Sequence, residues 1–112
     1  MTNKKRRGEV VLRGGAVTAA KRSLRVWKTL PYSKKYGTTV GHSMAKKIAS
    51  GKPVPAKKVY SFLNRSYPNY FKAKSRGGDE TTSKAIGAFN LWGGVAAMNQ
   101  LSRFLYPEKR SR

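Results

Sequence analysis

The chain of 112 residues has no cysteine, one histidine and four acidic residues, and each shortage removes a class of function. Without cysteine there is no disulfide framework and no thiolate metal site. Catalysis needs groups that move protons, hold metal or attack carbon, and that inventory is thin here. His42 has no acid or second histidine near it in sequence to orient it, so it reads as a surface or capping residue at the start of a helix rather than a catalyst. Gly93-Gly94 lacks the Lys-Ser/Thr of a phosphate loop, and Gly77-Gly78 precedes two acids that would repel phosphate. The expectation is a protein that is not an enzyme, with no metal and no cofactor. Long apolar runs are missing too: nothing approaches the roughly 18 to 20 residues of a membrane span. Val10 to Leu12 is too short for the core of a signal peptide, so the expectation is a cytosolic product with no membrane partner.

What the chain does hold is positive charge: 25 Lys and Arg against 4 Asp and Glu, a net +21. The tails do not account for it. Seventeen of those basic residues lie between 14 and 107, opposed only by Asp79 and Glu80, so the expected folded body itself carries +15. Such a surface repels itself and calls for a polyanion, most commonly a nucleic-acid backbone whose counterions are released on binding. The composition, 38% hydrophobic and 11% aromatic, exceeds that of a disordered polycation. It suits one small domain burying about two-thirds of its unfolded surface.

Glycines at 8, 14 and 15 and the absence of any period mark residues 1–15 as a basic flexible arm. "KKRR" at Lys4 to Arg7 reads as a solvated tail, or as a nuclear-import run in a eukaryotic source. A single helical domain is expected over 16–107, followed by a basic tail at 108–112. Its first helix carries Val17, Ala20, Leu24 and Trp27 at helical spacing and stops before Pro31. "LPYSKKYGTT" is a basic aromatic loop, after which Thr38 or Thr39 caps a second helix burying Val40, Met44, Ala45 and Ile48. Pro55 is placed to open a third helix with Val59, Phe62 and Leu63 inside, ending near Tyr67-Pro68. Residues 69–82 read as a loop, and Asp79, Thr81 or Ser83 then caps a fourth helix through Phe89 and Trp92. In that reading the acidic pair sits at the positive end of the helix. Gly93-Gly94 breaks the chain before a fifth helix through Val95, Met98, Leu101 and Leu105. The predicted fold class is all-α, a small orthogonal bundle of four to five short helices with basic flexible tails.

The second and third helices resemble a helix-turn-helix in length and apolar spacing, though their joint is longer than three to four residues and holds two prolines. Candidate phosphate contacts are Lys4, Lys5, Arg6 and Arg7 in the arm and Lys21, Arg22 and Arg25 on the first helix. Lys46, Lys47, Lys52, Lys57, Lys58 and Arg65 follow on the next two, then Lys72, Lys74 and Arg76 beyond them. Lysine is a point charge, and Asn, Gln and Arg are sparse on the second and third helices, so backbone contact is expected over base reading. Tyr32, Tyr36, Tyr67, Tyr70 and Phe71 lie in basic stretches and either stack on unpaired bases or lid the core.

From Ala19 to Gly94 the order of motifs, "GTTVG" with a following "ASG", then "KKVYSF", then "LWGG" at Leu91 to Gly94, resembles a small helical module of tailed-bacteriophage head proteins. That module occurs alone or fused to prohead protease and portal-like proteins. It usually has a His-Glu-Val-Asp-Lys-like segment after the third helix, where this chain has "SYPNYFKAK", and a more mixed surface. The resemblance implies a phage setting and a helical fold rather than an activity. The expected function is a phage-encoded protein that binds or condenses DNA through non-specific phosphate contacts, in the host cytoplasm or nucleoid or in the virion. DNA is preferred over RNA as the partner. The alternatives are a protein-binding module, either packed with phage head proteins or inhibiting an acidic host enzyme such as a polymerase, and an RNA-binding protein.

Overall fold

The computed structural model describes residues 8–106 and confirms the all-α class, with five α-helices packed as a small bundle. They are α1 (Gly15–Thr29), α2 (Thr39–Ala49), α3 (Ala56–Ser75), α4 (Lys84–Leu91) and α5 (Gly94–Leu105), with a single 3-10 turn at Tyr32–Lys34. The short apolar helix α4 is the centre and touches each of the other four. Its Ile86, Phe89 and Leu91 are fully buried, which is why the most apolar stretch of so basic a chain lies here.

Helix α1 buries Ala16, Ala20 and Ser23, one step round from the expected stripe, while Val17, Leu24 and Trp27 pack half-buried at its edges. Small residues face inward because the glycine joint between α4 and α5 comes close: a Cβ on Gly93 or Gly94 would lie 3.4 Å from the Cβ of Ala16 or Ala19. Both joint glycines have positive φ, 102° and 67°. A side chain there would be strained, so the break was legible in "GG".

Four expectations need correction. The flexible arm of residues 1–15 is not free along its whole length. Residues 1–7, with Lys4 to Arg7, lie outside the described residues, but Glu9–Val10 (β1) pairs antiparallel with Val54–Pro55 (β2), and Leu12 is in the core. The side-chain amide of Gln100 on α5 then accepts from the Arg13 N–H at 2.9 Å and donates to its carbonyl at 2.7 Å. Second, α3 does not end at Tyr67-Pro68 but runs through Pro68 to Ser75. An interior proline costs about 3 kcal/mol. Tyr70 stacks on Phe89 at 4.2 Å and Tyr67 sits 6.0 Å from the same ring, and burying parts of two such rings gives a gain of similar size.

Third, Val40 and Val95, expected inside, are exposed, because the buried faces of α2 and α5 are narrow: Gly41, Met44, Ala45 and Ile48 on one, Gly94, Ala97 and Leu101 on the other. Phe62 and Trp27 likewise are half-buried rather than central, Phe62 stacking on the buried Trp92 at 4.3 Å. Fourth, α2 and α3 do not form a helix-turn-helix. α2 packs chiefly on α1, and α3 on α4 and α5, so the two helices are not the mutually packed pair that motif requires.

Candidate nucleic-acid interface

The loop from Pro31 to Gly37 is shaped from within. Tyr36 is buried, and its hydroxyl donates to the Ser23 carbonyl at 2.6 Å; the Ser23 hydroxyl donates to the Gly87 carbonyl at 2.7 Å. Burial holds the Tyr36 phenol above its ordinary value, opposed by the Ser23 hydroxyl, 3.2 Å from the phenol oxygen, to which it can donate. His42, on the first turns of α2, lies 3.0 Å through Nε2 from the Tyr36 carbonyl; a carbonyl only accepts, so Nε2 carries the proton. The imidazole also meets Trp27 edge-on at 4.4 Å. On Trp27, the Lys35 ammonium lies 4.0 Å from the ring centroid and donates to the backbone carbonyl at 2.6 Å. Thr38 caps α2, its hydroxyl accepting from the Gly41 N–H at 3.1 Å, as the sequence predicts.

Beside these contacts lies a cleft of about 540 Å³ whose lining includes Trp27, Tyr32, Lys35, His42 and Lys84. A second cleft of about 330 Å³, lined by Ser43, Lys46, Lys47, Ser50 and Lys52, adjoins it. Thr39 and His42 line both, so the two form one groove along the side of α2. Five lysines line it and no acid does. Its walls offer hydroxyls from Thr39 and Ser43 beside those ammonium groups, a donor set that phosphate oxygens take, while the Ser50 hydroxyl donates to the Lys46 carbonyl at 2.7 Å.

The groove gathers three of the sequence-predicted contacts, Lys46, Lys47 and Lys52, and adds Lys35 and Lys84, which the sequence reading missed. Lys35 was visible in "YSKKYG" as part of a basic aromatic loop, but nothing in the sequence shows that it and Lys84, 49 positions apart, meet the lysines of α2. Lys21, Arg22 and Arg25 are exposed on α1, and Lys57, Lys58, Arg65, Lys72 and Lys74 on α3, with Arg76 capping its end; none of them lines the groove. Arg22 is engaged: its Nε donates to Glu80 Oε1 at 3.1 Å, and Asn90 donates to Glu80 Oε2 at 2.8 Å. That corrects the reading of both acids. Glu80 is a buried tie between α1 and α4, and Asp79 organises the turn before α4, accepting from the Thr81 hydroxyl and amide. The cap itself is Ser83, accepting from Ile86 N–H at 3.3 Å.

Of the aromatics weighed as base-stacking residues, Tyr36 is a core lid, and Tyr67 and Tyr70 are occupied by Phe89. Phe71 and Tyr32 remain exposed. Among the described residues no group of three His, Cys, Asp or Glu comes together as a metal would need, and no helix is long and apolar enough to cross a membrane.

Compared with known proteins, the chain matches no family model, no curated protein and no solved structure. The likeness to the phage-head module therefore stands on its motifs alone.

Proposed function

We propose that this protein binds DNA through its phosphate backbone, using the lysine groove along α2 as the principal contact and the other exposed cations as a diffuse field. The observation that carries this reading is the grouping of Lys35, Lys46, Lys47, Lys52 and Lys84 from three separate segments into one acid-free groove. Like charges gather at a cost of self-repulsion that a polyanion relieves. Supporting it, none of the five helices has an acid in its first turn, while α3 carries Lys57 and Lys58 and α4 carries Lys84 there, so local electrostatics favour an external anion over an internal one. The groove offers no planar reader of base edges, which matches a weak sequence preference. The phage setting, and with it a place in the virion or in the infected cell, follows from the "LWGG" resemblance.

The test is binding of duplexes of unrelated sequence across a salt series. Affinities should agree within several-fold and fall with a log-log slope of about −0.9 per phosphate neutralised. Changing Lys46, Lys47 and Lys52 together to Gln should flatten the slope by about three units on that scale. An unchanged slope would rule out the groove, and tighter binding to one acidic protein than to any duplex would favour the protein-docking alternative. Preference for structured RNA over DNA would favour the other.

A further inference from the structure

The groove is not uniform. Its α2 part is lysine and hydroxyl, whereas the other part is aromatic, and one of the residues lining it has the most exposed aromatic side chain among the described residues: Tyr32, 91% accessible to solvent. A tyrosine buries on the order of 150–250 Å² when it packs, so one left in water forgoes that gain. Neither packing nor a hydrogen bond explains Tyr32, yet its backbone is fixed. Pro31 leads into the 3-10 turn with φ −64°, the Lys34 N–H bonds the Pro31 carbonyl at 2.9 Å, and the Lys35 N–H bonds the Tyr32 carbonyl at 3.2 Å. The ring is therefore free to meet a partner, on a stretch of backbone that is already ordered. Trp27 and His42 line the same cleft, their own rings held by their mutual edge contact and by the Tyr36 carbonyl. Lys84 lines this cleft as well, and Lys46 and Lys47 of α2 line the adjoining one.

An exposed aromatic on an ordered turn, lining a cleft that lysines also line, suits a base on its face and the flanking phosphates on the neighbouring ammonium groups. A duplex cannot use it, because its bases are stacked inside. We infer that the cleft of Trp27, Tyr32 and His42 seats one unpaired nucleotide, so that the protein engages single-stranded or locally opened DNA at this point while holding the adjoining backbone along α2. The inference rests on the phosphate-binding reading above and names the state of the nucleic acid that reading leaves open.

The experiment compares a short oligothymidylate with an abasic strand of the same length and charge, using the full chain, with a duplex as a third ligand. The base should add about tenfold in affinity over the abasic strand, the scale of one base stacked on an aromatic side chain. Tyr32→Ala should erase that difference, read as the ratio of oligothymidylate to abasic-strand affinity within the one variant; Tyr32→Phe should keep it, since stacking needs the ring and not the hydroxyl. Because Tyr32 is almost wholly exposed, the alanine variant should fold, as circular dichroism will show. Equal binding of oligothymidylate and abasic strand by the unaltered protein overturns the inference, as does a base preference that survives Tyr32→Ala. So does a Tyr32→Ala defect confined to an acidic polypeptide such as polyglutamate, which marks the ring as a protein contact. Failure of the unaltered protein to bind any of the three nucleic acids instead overturns the phosphate-binding reading itself.

Discussion

The ring of Tyr36 lies flat enough against Gly87 that a Cβ at position 87 would collide with Cε2, Cδ2 and Cζ of the tyrosine. A glycine in the middle of α4, which costs helix stability on its own, is what lets the loop before α2 lock onto the central helix. Gly87→Ala should destabilise by about 1–3 kcal/mol despite the better helix propensity of alanine, the range for overpacking a filled core. Tyr36→Phe keeps the ring and removes the hydroxyl's contacts with the Ser23 carbonyl, at 2.6 Å, and the Ser23 hydroxyl, at 3.2 Å, so it should cost about 1–2 kcal/mol. Urea unfolding of both variants checks the pair, and a stabilised Gly87→Ala would show that the loop is not seated there.

The joint of α4 and α5 gives a second test. Gly93 and Gly94 both have positive φ, and a Cβ on Gly94 would stand 2.6 Å from Asn90 Oδ1 while one on Gly93 would collide with the Ala97 side chain. Valine at either position combines a left-handed backbone with a clash, and each should cost more than the roughly 1–3 kcal/mol of backbone strain alone. The loss appears as a lower denaturation midpoint with an unchanged slope.

Acid and base should each find a separate weak point. Asp79 is held below its ordinary value of 3.8 first by the hydrogen bond from the Thr81 hydroxyl, then by backbone bonds. Its contribution is present above that value and is lost as pH falls through the lower folded-state value. Tyr36 is shifted the other way, chiefly by burial, above 10.0. Its contribution is whole below pH 10 and is lost as pH rises through the higher folded-state value. Stability measured against pH should therefore lose part of its acid limb in Asp79→Asn and part of its alkaline limb in Tyr36→Phe, each relative to the unaltered protein.

Lys84 separates stability from binding. It is the first residue of α4, at the positive end of a helix, where a cation is unfavourable and an acid favourable by about 0.3–1 kcal/mol each. Lys84→Glu should raise the melting temperature and at the same time weaken DNA binding, because the same side chain lines the groove. A variant that gains stability and keeps full affinity would remove Lys84 from the interface.

Much of the fold is legible in local chemistry. Thr38 and Ser83 cap helices because their hydroxyls reach the first free N–H groups, and "GG" marks the α4–α5 joint because only glycine accepts that backbone cheaply. Pro68 misled because the cost of proline is local while its compensation, Tyr67 and Tyr70 against Phe89, comes from about 20 residues away. The strand at Glu9–Val10 was hidden for the same reason: two residues carry no alternation, and their partner lies at Val54–Pro55. In the groove, exposure of Lys46 and Lys47 follows from helical spacing, but its aromatic end does not. Tyr32 and Tyr36 look alike in "PYSKKYG", and one is almost wholly exposed while the other is in the core.

By itself, then, the sequence determined the helical class, the positive charge and the break at Gly93-Gly94, since those depend on residue type and near-neighbour spacing. Only the tertiary structure decided which lysines share a groove, which tyrosine faces water and why Glu80 is buried. Those depend on how α1, α2 and α4 pack, and packing is set by the sum of many distant contacts, none strong enough to be read from its own stretch of chain.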